Sequence, residues 1–456
     1  MSTPRPTLIR IDAHAIADAG GVRCGSGGMS VLVEYRPERA SRFPWRILAA
    51  GPTAEVAQHE ANRSPAMRIA SRPGCLLIPG MVNAHTHLDL THIGPRPHDP
   101  ELGFGPWVGM IRDNRRTTAE GVSESVDQGA ALSLRAGVVA VGDIAGAVAG
   151  RASLLAVEAL KNTPLSGVSF IEFFAFGPRE HLALAWLDEA VREAGRRGWL
   201  ADPLAPVQVG VQPHAPYSVS PNAYLAAAPG FAGRFCTHLA ESPEERRFLT
   251  RAEGPLREMI ESLGLWTADA ERVLGKASSP IQHVRENALR RVSLVAHVND
   301  ASDDDLDLLA EAGVSVAYCP RASAYFGAER HFGPHRYREM LARGINVALG
   351  TDSIVNLPPE ATQRGISIWD EMRFLHARDQ TDPLVLLRMG TRNAAKGLEL
   401  PSGAFEIRDS HNIAGLVAVD TSPDRGKENP LESALRSVAE PELLLHSTDS
   451  CLTGVR

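Results

Sequence analysis

Cysteine is scarce and scattered in this sequence. Cys24, Cys75, Cys236, Cys319 and Cys451 make five, and no two of them form a CxxC pair. An odd, dispersed set excludes a disulfide framework and a cysteine-built zinc site. It fits a reducing cytoplasm. Long apolar runs are missing too. No stretch offers the ~18 uninterrupted apolar residues that a membrane-spanning helix needs. The first residues, MSTPRPTLIRIDAHAIADAGG, lack signal-peptide architecture, so a cytoplasmic protein is expected. Positive charge is not in excess, because the formal net charge is -7. A mildly acidic surface argues against nucleic acid or an anionic membrane as the main partner. Internal repeats and low-complexity tracts are absent.

Histidine, by contrast, is plentiful. Sixteen of the 456 residues are histidine, a side chain that both ligates metals and carries protons near neutral pH. With 44% hydrophobic residues the chain can bury a large core. Its length predicts one large catalytic domain and a small accessory one.

Residues 1–79 read as short strands with Gly and Pro breaks: TLIRIDA, SVLVEYR and WRILAAG alternate in the manner of half-buried strands. The pattern then changes. Brief apolar runs such as PLSGVSFIEFFAF, PVQVGVQPHAP, GRFCTHLAES, RVSLVAHVND and GINVALGTDS alternate with helical stretches such as HLALAWLDEAVREAGRRG and SDDDLDLLAEAG. Alternating βα units imply a parallel sheet. Most runs end in a His or an Asp, where a TIM barrel places its chemistry. A doubly wound sheet is the competing fold, but only closure brings first and last strands together. The expectation is an α/β protein, a (β/α)8 TIM barrel over 80–402. A small β-sandwich of 1–79 and 403–456 would be built from both chain ends, with GAFEIRD and IAGLVAVD as its late strands. Segments 95–106 and 320–336 look like long βα loops, the natural place for substrate contacts.

His85 and His87 lie two apart after LLIPGMVNA. In a strand, such residues point the same way, so both imidazoles can reach one ion. An HxH pair alone is a weak signal. His238 ends RFCTHL, and Glu241 follows three residues later, free to stand beside a metal-bound water. Glu244 and Glu245 instead suit the N-terminus of the next helix. His297 ends VSLVAH, and His214 ends VQPH; each alone is as readily a core histidine. Asp352 ends NVALGTD, where a carboxylate is costly to bury unless it meets a cation. Pro358 and Pro359 argue against Asp352 being a helix cap. The joint order, HxH, His, HxxE, His, GTDS, all at strand ends, is hard to obtain by chance.

With these motifs, PGMVNAHTHLDLT, THLAES and ALGTDS, the chain resembles the amidohydrolase superfamily, in its cytosine-deaminase-like and chlorohydrolase-like branch, from about residue 8 to 420. The resemblance implies that His85, His87, His238 and Asp352 hold a metal. It implies that Glu241 shuttles protons, that His297 polarises the substrate, and that His214 contacts it. Two-metal members use a carboxylated lysine, but QVGVQPHAP has none and Lys161 is badly placed. One divalent ion is therefore expected, Zn2+ first and Fe2+ second. The chemistry implied is attack of a metal-bound hydroxide on an amine-bearing ring carbon. Ammonia leaves and an oxo group remains.

Trp107, in GFGPWVGMIRDNRR, reads either as a loop-packing aromatic or as a platform for stacking a purine-like ring. This segment and CPRASAYFG resemble deaminases of adenosine-like compounds, including aminodeoxyfutalosine deaminases. Asn356 is a candidate polar contact. Arg112, Arg115 and Arg116 read either as a carboxylate-binding group or as a solvated helix face. Two departures from the branch stand out: Val298-Asn299-Asp300 after His297, and Ala414-Gly415 entering a late strand. The leading function is deamination of an adenine-bearing nucleoside or related heterocycle. The alternatives are a dechlorinating or amide-cleaving hydrolase of the same branch and, remotely, a catalytically dead scaffold. Relatives of this kind suggest a homodimer.

Overall fold

The computed structural model describes residues 7–36, 42–421 and 429–446. Cys451 and the ends of the expected terminal sandwich, 1–6 and 447–456, lie outside the described residues. Four strands come first: β1 Leu8–Asp18, β2 Gly21–Tyr35, β3 Trp45–Pro52 and β4 Met67–Pro79. Eight follow in the middle of the chain: β5 Met81–Thr86, β6 Val138–Ala145, β7 Ser166–Phe173, β8 Val207–Pro213, β9 Arg234–Leu239, β10 Leu294–His297, β11 Ser315–Tyr318 and β12 Val347–Leu349. Three short ones end it: β13 Asn412–Ile413, β14 Leu416–Asp420 and β15 Glu442–Leu445.

β5 to β12 pair in chain order, every neighbour parallel. The ring closes where Thr86 bridges Asp352. There the amides of Thr351 and Asp352 both donate to the His85 carbonyl, at 3.1 and 3.0 Å. This is a TIM barrel. Every residue of β5, β6 and β7 is buried, as expected of parallel strands with helices outside and packed side chains inside. The predicted helices form between them. Glu180–Arg196 joins β7 to β8. Asp303–Ala312 joins β10 to β11 and opens on a capping box of Ser302 and Asp305.

Both chain ends share one curled seven-stranded sheet, in the order β13-β3-β2-β1-β4-β14-β15. A bulge at His14 divides β1. Before it, Ile9, Ile11 and Ala13 fill the core of this sheet; after it, Ala15 and Ala17 turn into the barrel's core. A single extra residue re-aims the face in this way. β4 runs straight into β5 through Gly80, whose amide donates to the Gly415 carbonyl at 2.8 Å. A side chain at Gly80 would begin 2.6 Å from Val139. That close approach also accounts for the Ala414-Gly415 departure.

One expected strand fails. Within GAFEIRD the chain forms a short 3-10 turn, Ser402–Phe405. Ala404 and Phe405 bury against Ala394, Ala395 and Leu398, which orders the segment through packing instead of strand pairing. Among the described residues no helix is long and apolar enough to cross a membrane.

Candidate active site

The strand ends of the barrel meet at one point. His85 lies in β5 and His87 follows it; His238 lies in β9 and His297 ends β10. Glu241 stands two residues beyond β9, and Asp352 three beyond β12. All six side chains are buried. His87 Nε2 is 3.4 Å from Asp352 Oδ1 and 3.4 Å from His238 Nε2. His85 Nε2 is 3.9 Å from Asp352 Oδ1. His297 Nε2 is 3.6 Å from Glu241 Oε1. His297 and Asp352 have φ of 74° and 58°, a left-handed backbone that non-glycine residues rarely hold without compensation.

This donor set fits a metal ion. Ligand atoms of His85, His87 and Asp352 lie within 4.8 Å of one another, as do those of His85, His238 and His297, and those of Glu241, His297 and Asp352. The buried Nε2 atoms of His85 and His297 have no hydrogen-bond partner, an unusual state for a polar atom in a core. His238 Nδ1 sits 2.9 Å from the His214 carbonyl, so its proton is there and its Nε2 lone pair is free to ligate. Burial, then the neighbouring imidazoles, hold His85, His87 and His297 well below the usual histidine range. Neutral imidazoles are the ligating form. Burial and the charges of Asp352 and Glu245 push Glu241 well above the carboxylate range. Burial pushes Asp352 up to about 7. A cation among them would reverse both acid shifts.

Glu241 is held by its backbone. The Glu245 carboxylate accepts from the amides of Ala240 and Glu241, at 3.0 and 2.7 Å. Asn299 Nδ2 donates to the Glu241 carbonyl at 2.9 Å. Glu245 stands in the first turn of the helix Pro243–Arg251, as expected, and turns its carboxylate back into the core, fully buried. Asn299 belongs to the departure at 298–300, and Val298 packs into the core, so that departure braces the acid loop. Asn356 Nδ2 donates to Asp352 Oδ2 at 2.5 Å, while its Oδ1 stays buried and unpaired.

An opening above Glu241 is lined by His98, Phe104, Phe326 and His331 among others. Trp107 lies on the helix Phe104–Asn114, packed 5.2 Å from the Phe104 and Phe326 rings. Glu244 accepts from the Phe104 amide at 3.1 Å and so ties that helix to the acid loop. His214, packed 5.0 Å from His238, lies at the barrel mouth with Phe174 and Tyr217 around it.

The three arginines of this segment separate. Arg112 and Arg116 pair at the surface with Asp113 and Glu124. Arg115 turns inward, 3.0 Å from Asp89 and 3.5 Å from Glu172. It is thus neither solvated nor free for a substrate carboxylate. Sequence reasoning missed Glu172 and Asp89. The usable signals were an acid inside the apolar run SFIEFF and the Asp of HTHLD, since a buried acid demands a partner.

Known proteins resemble this chain in sequence and in fold. Residues 76–440 match the amidohydrolase family. The chain is 26% identical over 381 residues to an aminodeoxyfutalosine deaminase of Deinococcus radiodurans, covering 80% of this chain and 84% of that one. It is 30% identical over 411 residues to a 5-methylthioadenosine/S-adenosylhomocysteine deaminase of Symbiobacterium thermophilum, covering 83% and 84%. In fold it is similar to the aminofutalosine deaminase of Helicobacter pylori in complex with methylthio-coformycin, with a TM-score of 0.70, 19% identity and 96% and 98% coverage. It is also similar in fold to the zinc-complexed atrazine chlorohydrolase of Arthrobacter aurescens, with a TM-score of 0.69, 18% identity and 98% and 97% coverage. With its barrel, its strand-end histidines and a family match over most of its length, the chain belongs to the amidohydrolase family.

Proposed function

We propose that this enzyme removes the amino group from an adenine-bearing nucleoside or a related heterocycle, replacing it with an oxo group from water and releasing ammonia. The observation that carries the reading is Glu241, a buried acid 3.6 Å from His297 and grouped with Asp352 beside an aromatic-lined opening. The deaminase relatives support the same substrate class. His85, His87, His238 and Asp352 would hold one divalent ion, zinc being the first choice because zinc is bound in the chlorohydrolase neighbour. When bound, such an ion lowers the pKa of a water and makes a nucleophile available at neutral pH.

The residues around it do the rest. Asp352 accepts a proton from the attacking water. Glu241, beside His297 and Asp352, gives a proton to the ring nitrogen, then takes the proton left on the attacking oxygen and passes it to the departing amine. His297 hydrogen-bonds the charge that develops on the substrate. Trp107, among Phe104 and Phe326, supplies a flat apolar wall for the heterocycle. The free Oδ1 of Asn356 and the ring of His214 supply polar contacts. We also expect a cytoplasmic homodimer.

The test is ammonia release by metal-loaded protein against heterocyclic amines: adenosine, S-adenosylhomocysteine, methylthioadenosine, aminodeoxyfutalosine, guanine, cytosine and triazines. Turnover of an adenine-bearing compound is expected. Glu241→Gln should lower kcat by roughly 10²–10⁴-fold with metal content unchanged. Full activity in that variant would remove Glu241 from the proton-transfer role. Silence across the amines, with metal bound, would favour the chloride- or amide-cleaving reading.

A further inference from the structure

Glu172 and His214 stand together at the barrel mouth and take no part in the proton transfers above. Glu172 lies near the end of β7 and is 2% exposed. Its Oε2 accepts from the Ala147 amide at 3.1 Å and stands 3.5 Å from Arg115 Nη1. Its Oε1 is left facing His214 Nε2 across 4.0 Å, too far for a direct hydrogen bond. The other side of His214 is fixed. Its Nδ1 is 2.7 Å from Ser218 Oγ, and that hydroxyl donates to the Ala215 carbonyl at 3.1 Å. In the arrangement where that hydroxyl donates to Ala215, Ser218 accepts from His214, the ring proton sits on Nδ1, and Nε2 presents a lone pair. Two acceptors thus face each other at the mouth of the site, where unpaired polar groups are costly. Whatever completes the site must bring donors.

We propose that Glu172 and His214 form a two-acceptor subsite for a pair of hydroxyl groups on the substrate, the vicinal diol of a sugar. The inference rests on the nucleoside reading above and adds which part of the molecule is recognised, and by what. A diol gives one O–H to each acceptor. The 4.0 Å between the two acceptors suits two neighbouring hydroxyls, each donating its one proton to one of them. A second cation is the competing occupant and fits less well. Arg115 already places a positive charge 3.5 Å from Glu172, and His238 Nδ1 is committed to the His214 carbonyl. A cation would find two free ligand atoms, fewer than the three or four that zinc takes from a protein. Arg115 is a positioning residue here: with the Ala147 amide it fixes Oε2 and so decides that Oε1 is the oxygen offered.

The experiment compares adenosine with 2′-deoxyadenosine and 3′-deoxyadenosine in the metal-loaded wild-type enzyme. The same comparison is made in Glu172→Gln and Ser218→Ala, with metal content measured for each. Wild type should prefer adenosine by roughly 10²-fold or more in kcat/KM, since a polar site rejects an analogue that leaves its groups unpaired. Glu172→Gln should erase most of that preference while retaining turnover of the deoxy compounds. Ser218→Ala, a surface-near change behind the ring, should weaken the preference less. The wild-type comparison stands by itself if Glu172→Gln folds poorly. Equal turnover of all three nucleosides by wild type would overturn the subsite and leave the deaminase reading intact. No turnover of any adenine compound would overturn both. A second equivalent of bound metal that is lost in Glu172→Gln would overturn the diol in favour of a cation.

Discussion

Asp143 is the residue whose behaviour the structure predicts most directly. It lies in β6, fully buried, and accepts from the Leu88 amide at 3.0 Å and from Ser169 Oγ at 3.2 Å. Burial pushes its pKa up to about 7 from 3.8, against the pull of those two bonds. The folded protein therefore holds its proton more tightly than the unfolded chain. The stability this gives is complete below pH ~4 and is lost as pH rises through about 7. Asp143→Asn keeps the acceptor for Leu88 and has no charge to bury. Relative to wild type, the variant should gain roughly 1.4 kcal/mol per pH unit across that window and level off above it. Urea denaturation at several pH values reads the difference. Parallel curves for the two proteins would remove Asp143 as a buried, protonated group. Nothing in the sequence marks it: VVAVGDIA differs little from the runs that end in catalytic candidates. The strand-end residues His85, His238, His297 and Asp352 were legible because their spacing repeats a rule, strand then ligand. Asp143 and Glu172 sit inside runs, and their meaning depends on partners far away in the chain.

At the scale of the element, the helix Phe104–Asn114 is tied down at both ends. Glu244 caps the Phe104 amide, and Arg115 anchors the other end to Asp89 and Glu172. Sequence reading placed an aromatic here but took the neighbouring arginines as a group, because a local pattern cannot tell which one turns inward. The space for Arg115 is made by Gly146, where a Cβ would stand 1.9 Å from Arg115 Nη2 and 2.5 Å from Asp89 Oδ2. Gly146→Ala should expel the guanidinium and leave two buried carboxylates without their cation. Breaking a buried pair in this way costs about 3–5 kcal/mol. The urea midpoint should fall accordingly, and KM should rise more than kcat falls, since the Trp107 wall loses its anchor. Gly105→Ala is the control. No atom lies within 4 Å of its added Cβ, and alanine is the better helix former, so stability should hold or rise slightly. Equal behaviour of the two variants would show that the Arg115 anchor contributes nothing.

At the scale of the whole molecule, the barrel was legible from alternation alone, and its closure from the argument that first and last strands must share a ligand set. The structure carries that closure on the contacts of Asp352 and Thr351 with β5. The GAFEIRD segment was not legible, because its apolar residues bury against the barrel's base in a turn, and periodicity cannot separate that from strand pairing. The seam of the ring is also the candidate metal centre, so metal and fold should be coupled. Metal bound only to the folded state stabilises by mass action, about 4 kcal/mol when free metal exceeds the dissociation constant a thousandfold. Removing it leaves orphaned imidazole nitrogens and raised acids packed at the seam. Treatment with a chelator should therefore lower Tm by several degrees as well as abolish turnover, and stoichiometric zinc should restore both. β4 runs unbroken into β5, so the terminal sheet should melt with the barrel in one transition. Trp45, buried in that sheet, makes a second probe of it, against near-ultraviolet signals from the barrel. If chelation abolished turnover and left Tm unchanged, the strand-end cluster would bind its ion without holding the barrel closed, and closure would rest on the hydrogen bonds of Asn83, His85 and Thr86 with Thr351 and Asp352.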